Sequence, residues 1–125
     1  MARGTNALEM SEDHKPDNVG ELKRIEAAGG FVEDGRVRGI LSLSRALGDM
    51  EYKMNSKIGV EAQMITCVPE IKKEAIHPDD KFIVIACDGI WDCLTSQQCI
   101  DLIHQKIKAR KSGENSSKVI CDMFD

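Results

Sequence analysis

The sequence has no long hydrophobic run. Its longest purely apolar stretch is Phe82–Cys87, whereas a helix that crosses a membrane needs about 20 apolar residues. Residues 1–6 also lack the apolar segment that a secretory signal contains. We therefore expect an intracellular protein, cytoplasmic and/or nuclear, that does not contact a membrane.

The cysteines form no C-x-x-C pair, and their number is odd. This absence argues against a zinc site and against a redox dithiol. Because the cysteines lie mostly within apolar runs and the expected compartment is reducing, we expect buried, unpaired thiols. The residues concerned are Cys67, Cys87, Cys93, Cys99 and Cys121.

Several signatures of catalysis and of nucleic-acid binding are also missing. The sequence has no G-x-x-x-x-G-K-[ST] loop and no H-E-x-x-H pair. No cysteine is followed six positions later by the arginine that a cysteine-dependent phosphatase needs. The formal net charge of -4 argues against a nucleic-acid partner. The histidines, which have no metal-ligand spacing and are expected in turns or on the surface, are His14, His77 and His104.

The composition is that of a globular chain. Of the 125 residues, 42% are hydrophobic and 30% are charged. Domains most often contain about 100–150 residues, so this length allows one domain or part of one.

The first half of the chain carries two local structural signals. Asn18 and Glu21 have the spacing of a capping box, and apolar residues at helical spacing follow them. This pattern predicts a helix over residues 18–28. Asp34-Gly35 lies between two short stretches that contain β-forming residues, which predicts a hairpin with a primed turn over residues 31–38.

The second half combines extended and helical signals. Extended segments are expected at residues 64–68, 70–76 and 81–87. The last of these is continuously apolar, which predicts a strand buried on both faces. Thr95 and Gln98 again have capping-box spacing and begin a predicted helix that runs to about residue 110. A further helix is expected after Ser116 or Ser117.

The clearest chemical signal is the pair of carboxylates that follows the apolar run. Asp88 comes directly after a predicted buried strand, with Gly89 next and Asp92 close behind. A rigidly held carboxylate is a suitable ligand for a hard cation. The alternative is that Asp88 makes a local turn that ends the strand and that Asp92 caps the following segment.

Basic side chains could also bind an anion, because arginine binds phosphate through two parallel hydrogen bonds. Arginine on a hairpin is otherwise an ordinary solvated residue, and the residues alone leave both interpretations open. The arginines concerned are Arg36, Arg38 and Arg45.

Six motifs occur in the order found in metal-dependent type-2C protein serine/threonine phosphatases, and the chain resembles that family from about residue 8 to its C-terminus. The motifs are Asp13-His14-Lys15-Pro16, Glu26-Ala27-Ala28-Gly29-Gly30, Arg36-Val37-Arg38-Gly39, Ser44-Arg45-Ala46-Leu47-Gly48-Asp49, Val68-Pro69-Glu70-Ile71 and Ala86-Cys87-Asp88-Gly89-Ile90-Trp91-Asp92. Six motifs in order are far more specific than any one of them.

The resemblance implies an α+β fold in which a β-sandwich of antiparallel sheets is flanked by helices. It also implies Mg²⁺ or Mn²⁺, binuclear in the complete domain, which activates a water for attack on phosphoserine or phosphothreonine. By motif position, Asp88 resembles the aspartate that ligates the metal centre. Asp92 resembles a residue that helps to hold a further, weaker metal. Asp49 and Arg36 match positions near the site.

The chain also departs from the family pattern. It lacks the motifs of the family's N-terminal half, which include a metal-ligating glutamate, an Asp-Gly-His-Gly segment, a phosphate-binding arginine and a Gly-Asp-Ser-Arg strand, and it lacks the closing Asp-Asn motif. No catalytic residue of the family is therefore assigned to it. We expect residues 1–125 to be the C-terminal portion of a phosphatase domain, inactive alone and weak in metal binding. The alternative is a non-catalytic, pseudophosphatase-like interaction module that self-associates through exposed sheet edges.

Overall fold

The computed structural model describes residues 1–109. The chain divides into a central unit, Glu12–Lys72, and a terminal unit made of Met1–Ser11 and the residues from Lys73 onward. In chain order the elements are β1 (Ala2–Arg3), β2 (Asn6–Ala7), α1 (Val19–Ala27), β3 (Val32–Glu33), β4 (Arg36–Val37), β5 (Asp80–Phe82), α2 (Asp88–Trp91) and α3 (Ser96–Ala109). Among the described residues, no helix has the length and apolar character needed to cross a membrane.

The central unit begins with the predicted helix and hairpin, and both predictions are confirmed. Helix α1 spans Val19–Ala27 and contacts the hairpin strand β3. Strands β3 and β4 pair antiparallel. The two residues of their turn, Asp34 and Gly35, have positive φ angles of 50° and 69°. Positive φ at both central positions is the geometry of a type I′ turn, which matches the twist of the two strands.

The capping box predicted at the start of α1 is wrong. The Asn18 side chain makes no capping hydrogen bond. Its amide instead donates to the Asp13 carbonyl at 2.7 Å. The Glu21 carboxylate turns inward and accepts hydrogen bonds from arginine and serine side chains. Arginine carries a full charge that the backbone amide lacks, so the two arginines outcompete that amide for the Glu21 carboxylate.

A small hydrophobic core holds the central unit together. Its buried residues are Ile25, Val37, Tyr52, Met64 and Ile65. Gly30 lies against this core, because a Cβ built there would stand 2.7 Å from the Met64 sulfur and 3.0 Å from Ile25 Cγ2. The backbone after α1 therefore approaches the core more closely than a side chain would allow.

The terminal unit is a three-stranded antiparallel sheet, ordered β2-β1-β5, with α3 packed on β2. Arg3 and Asp80 are cross-strand partners, and two guanidinium nitrogens of Arg3 donate to the two Asp80 oxygens at 2.8 and 3.3 Å. The Gln97 side chain on α3 donates to the Thr5 carbonyl, between β1 and β2, and accepts from the Ala7 amide in β2. These contacts join segments that are far apart in sequence.

Helix α3 confirms the second predicted capping box. The Thr95 amide donates to Gln98 Oε1 at 2.9 Å, and the Gln98 amide donates to Thr95 Oγ1 at 3.2 Å. The apolar residues of the helix that are buried are Cys99, Ile100 and Ile103. The helix predicted after Ser116 or Ser117 lies outside the described residues.

Two predicted strands are wrong in extent or in burial. Strand β5 covers only Asp80–Phe82, and beyond it Ile83 and Ile85 are 66% and 93% exposed. Residues 70–76 form no strand. The physical reason is the same in both cases, because a strand needs a neighbour and no described strand runs opposite these residues. Residues 64–68 contribute a single parallel bridge, from Thr66 to Arg45.

The prediction that the cysteines are buried is correct for one described residue. Cys99 is buried in α3, and burial raises the pKa of its thiol. Cys67, Cys87 and Cys93 are free and exposed. Cys87 is exposed because it belongs to the unpaired continuation of β5, and Cys121 lies outside the described residues.

Candidate functional site

The carboxylates Asp88 and Asp92 lie at the two ends of the short helix α2. Cys87 precedes this helix in an extended conformation, and the Asp92 amide donates to the Asp88 carbonyl at 2.7 Å. The Trp91 indole nitrogen donates to the Ala86 carbonyl at 2.9 Å. This bond holds the helical turn against the extended segment that leads into it.

The two side chains are neighbours on one face of this turn. Residues four apart on a helix have Cβ atoms about 5–6 Å apart. Asp88 and Asp92 are both exposed. Within residues 1–109, neither carboxylate accepts a hydrogen bond or joins an ion pair. The structure therefore shows no side-chain turn at Asp88 and no cap by Asp92, which were the local alternatives to a ligand role.

The oxygen atoms of Asp88 and Asp92 are the kind of ligand that a hard divalent cation prefers, but two carboxylates are too few to complete its coordination. Mg²⁺ prefers six oxygen ligands and commonly uses one or two carboxylates with several waters. The Asp88 and Asp92 carboxylates are oxygen donors with no competing protein partner. Residues 1–109 contain no group of three or more His, Cys, Asp or Glu side chains that could hold a metal ion. The described residues thus supply at most part of a cation site.

Arg36 and Asp49, the residues expected near the site, both belong to the central unit and are both exposed. Arg36 lies on β4, and its Nη1 donates to the Ile40 carbonyl at 2.8 Å. Asp49 has a positive φ of 47° and precedes a short 3₁₀ turn at Met50–Tyr52. Its carbonyl accepts a hydrogen bond from the Tyr52 amide at 3.1 Å.

The most highly connected polar residue is Glu21, whose role the sequence did not reveal. Its Oε2 accepts hydrogen bonds from Arg24 Nη1 at 2.6 Å and from Ser44 Oγ at 2.7 Å. Its Oε1 accepts one from Arg45 Nη2 at 2.6 Å. Only 7% of the Glu21 side chain is exposed. We call Glu21, Arg24, Ser44 and Arg45 the Glu21 network.

The network joins distant segments of the central unit. Arg24 also donates to the Ser44 and Gln63 carbonyls. Arg45 also donates to the Val68 carbonyl. One helix therefore fixes the start of the Ser44–Asp49 motif and the segment at 63–68. One part of this network has a sequence signal, because Glu21 and Arg24 are three residues apart and so lie close together on a helix. The second arginine, Arg45, has no such relation to Glu21 along the chain.

The charges of the network are strongly coupled. Burial alone would raise the pKa of Glu21, but the hydrogen bonds from Arg45, Ser44 and Arg24 outweigh it and lower that pKa to about 2. The bond to Glu21 raises the pKa of Arg45. Glu21 is therefore ionised at neutral pH, and its one carboxylate is shared by two arginines.

Each of the three histidines has a contact of its own. His14 Nε2 lies 2.8 Å from Glu70 Oε2 in the central unit. His77 sits in the turn before β5, where the Asp80 amide donates to its carbonyl. His104 packs against the Phe82 ring with centroids 5.2 Å apart. The predicted turn position of His77 is confirmed, whereas His104 is half-buried.

Comparison with known proteins identifies the class. A family profile described as "Protein phosphatase 2C" matches residues 1–124. The chain belongs to this family, as its motifs predict, and the α+β architecture of an incomplete type-2C phosphatase fold is confirmed.

Two curated relatives give the same result. The chain is 52% identical over 122 residues to protein phosphatase 2C homolog 2 of Saccharomyces cerevisiae, covering 96% of this chain and 26% of that protein. It is 47% identical over 122 residues to protein phosphatase ppm-1.G of Caenorhabditis elegans, covering 98% and 25%. A crystal structure of a phosphatase from a pathogenic strain of Toxoplasma gondii is 49% identical, covers 48% of this chain and 19% of that chain, and has a TM-score of 0.47. The chain thus spans about a quarter of the length of these two curated relatives.

Proposed function

We propose that this chain is the C-terminal portion of the catalytic domain of a metal-dependent protein serine/threonine phosphatase. Asp88 is a ligand of its metal centre, and Asp92 helps to hold a further, weaker cation. The observation that carries the proposal is the pair of exposed carboxylates on one helical turn, free of protein partners within residues 1–109, in a chain that belongs to the type-2C family.

The chemistry follows from the charge of the two side chains. Mg²⁺ or Mn²⁺, when bound, would supply an activated water for attack on phosphoserine or phosphothreonine. Asp88 would hold a cation of the metal centre and Asp92 the further, weaker cation through their carboxylate oxygens, with no hydrogen bond to a described residue broken on binding. Asp49 and Arg36 are proposed to lie near the site in the complete domain.

We further propose that the isolated chain is inactive. A binuclear site needs several carboxylates, and the N-terminal half of the family pattern and its closing Asp-Asn motif are absent from the sequence. Two carboxylates with waters should bind a cation only weakly. Activity then requires the remaining parts of the domain.

Binding of Mn²⁺ tests the ligand assignment directly. Free Mn²⁺ is measured by electron paramagnetic resonance during titration of the full chain, of Asp88→Asn and of Asp17→Asn. Asp17 is an exposed residue of the central unit and serves as the matched control. We expect Asp88→Asn to weaken binding by about tenfold or more and Asp17→Asn to leave it unchanged. Equal binding by all three proteins would remove Asp88 from the proposal.

The proposed inactivity is tested separately with a phosphothreonine peptide and Mn²⁺. We expect no hydrolysis by the 125-residue chain. Robust hydrolysis that Asp88→Asn abolishes would contradict the claim of inactivity while supporting the role of Asp88.

The second candidate function is a non-catalytic interaction module. The exposed side chains of Ile83 and Ile85, which lie in the unpaired segment after β5, favour this candidate because unpaired extended segments pair with other chains. Light scattering at increasing protein concentration distinguishes the two candidates. A monomer at all concentrations counts against a self-associating module.

A further inference from the structure

Arg38, one of the arginines considered for anion binding, has a side chain without a polar partner in the part of the chain that the structure describes. Its guanidinium donates no hydrogen bond and joins no ion pair there, whereas Arg36 and Arg45 are both bound to other groups. The central carbon of the Arg38 guanidinium lies over the Tyr52 ring, 5.7 Å from the ring centroid. A cation–π contact holds a guanidinium in place without using its N–H groups. These N–H groups remain available to an anion.

Arg38 lines a pocket of about 190 Å³ in the central unit. Glu51 lines the same pocket and is exposed. Within residues 1–109, the Glu51 carboxylate accepts no hydrogen bond and joins no ion pair. The pocket therefore contains a positive and a negative group that do not pair with each other. Opposite charges arranged in this way are complementary to a ligand that carries both charges itself.

The rest of the lining offers apolar contact on a wall that is already fixed. Its apolar side chains are those of Ala28, Met54 and Met64. Methionine adapts to irregular apolar shapes. The Gln63 side chain also lines the pocket, and its amide donates to the Asn55 and Ile58 carbonyls while its Oε1 accepts from the Asn55 amide. Because these bonds hold the loop in place, a ligand would not have to order it on binding.

We propose that this pocket binds a free α-amino acid with an aliphatic or thioether side chain, such as leucine or methionine. Arg38 binds the carboxylate of the ligand through its N–H groups, Glu51 binds the ammonium group, and the apolar lining contacts the side chain. The volume favours a small ligand, because pockets for drug-sized molecules have about 300–1,000 Å³. This binding goes beyond the proposed metal-dependent hydrolysis and does not rest on it.

The first experiment compares ligands on the unaltered full chain. Chemical shifts of the backbone amides of residues 51–55 are followed by nuclear magnetic resonance during titration with L-leucine and L-methionine. N-acetyl-L-leucine lacks the ammonium group, and L-leucinamide lacks the carboxylate. We expect both free amino acids to bind in the millimolar range. Each capped compound should bind about fivefold or more weakly, which is the loss expected for one charge-assisted contact at an exposed site.

Two variants assign each charge to its residue. Arg38→Asn removes the guanidinium, and asparagine tolerates the positive φ of 53° at this position better than most residues do. This variant should bind L-leucine and L-leucinamide equally. Glu51→Gln should bind L-leucine and N-acetyl-L-leucine equally. The matched controls Lys57→Asn and Glu61→Gln change exposed charges outside the pocket lining and should bind as the original chain does.

Several results would overturn the proposal. One is the absence of any shift at residues 51–55 with millimolar L-leucine and L-methionine. Another is equal binding of the free and capped compounds by the original chain, because the two charges would then not be recognised. A third is discrimination that persists in either pocket variant. The comparison of ligands needs no variant, and the readout is independent of Mn²⁺ binding and of phosphatase activity.

Discussion

Replacing Glu21 by glutamine is predicted to be among the most damaging single changes in the central unit. Glutamine keeps the size of the side chain but removes the charge that Arg24 and Arg45 share. Their side chains are only 14% and 26% exposed, so water replaces the lost partner incompletely. Removing one member of a buried ion pair usually costs about 3–5 kcal/mol, because the remaining charge is left uncompensated.

The lowered pKa of Glu21 gives a second value for the free energy that its charge contributes to folding. The pKa falls from an ordinary 4.5 to about 2, and each unit corresponds to about 1.4 kcal/mol, so the ionised form contributes roughly 3 kcal/mol. With an m value of about 1–3 kcal/mol/M, the urea midpoint of Glu21→Gln should fall by about 1–3 M. Glu26→Gln changes an exposed residue of the same helix and should shift stability by less than about 0.5 kcal/mol.

The pH dependence of unfolding supplies a sharper test. Because the pKa of Glu21 is lower in the folded protein, its stabilising effect is complete above about pH 5 and is lost as the pH falls from about 4.5 to about 2. Asp80, whose pKa the Arg3 hydrogen bond lowers to about 2, contributes in the same window. The difference between the original chain and Glu21→Gln isolates the Glu21 contribution. If that difference is constant from pH 7 to pH 3, or if the two glutamine variants are equally stable, the network does not stabilise the fold as argued.

Three further changes have defined outcomes. Gly30→Ala should lower the free energy of unfolding, measured by urea denaturation, by about 1–2 kcal/mol, because the new Cβ would meet Met64 in the core. Gly20→Ala, in open space within α1, should raise the free energy of unfolding by about 0.5–1 kcal/mol. Equal effects of the two substitutions would contradict the close approach of Gly30 to the core. Thr95→Ala should cost about 1 kcal/mol through the lost cap of α3, and circular dichroism during urea unfolding should detect it. N-ethylmaleimide followed by mass spectrometry should label the exposed thiols quickly and Cys99 slowly, and fast labelling of Cys99 would show that α3 is not packed as described.

Predictions from the sequence were correct where the interacting residues are close along the chain and wrong where they are far apart. The hairpin at 31–38 was predictable because Asp34-Gly35 brings the two strands together within a few residues. The cap at Thr95 was predictable because its partner is three residues away. The same capping-box rule gave Glu21 the wrong partner. Its Oε1 accepts a hydrogen bond from Arg45, which lies in a different segment of the central unit. Spacing along the chain carries no information about a partner that only the fold brings near.

The errors in the terminal unit have a single physical cause. The apolar run after Phe82 predicted a strand through residue 87, but the strand ends at Phe82, because apolar character does not specify which segment will pair with it. Ile83, Ile85 and Cys87 are consequently exposed where burial was expected. The proposed ligands Asp88 and Asp92 illustrate the same limit, because a sequence identifies oxygen donors but not the other groups that would complete the coordination of a cation. The unpaired segment after β5 and the two carboxylates that follow it thus have one point in common, which is that the local sequence gives the character of a segment without specifying its partners.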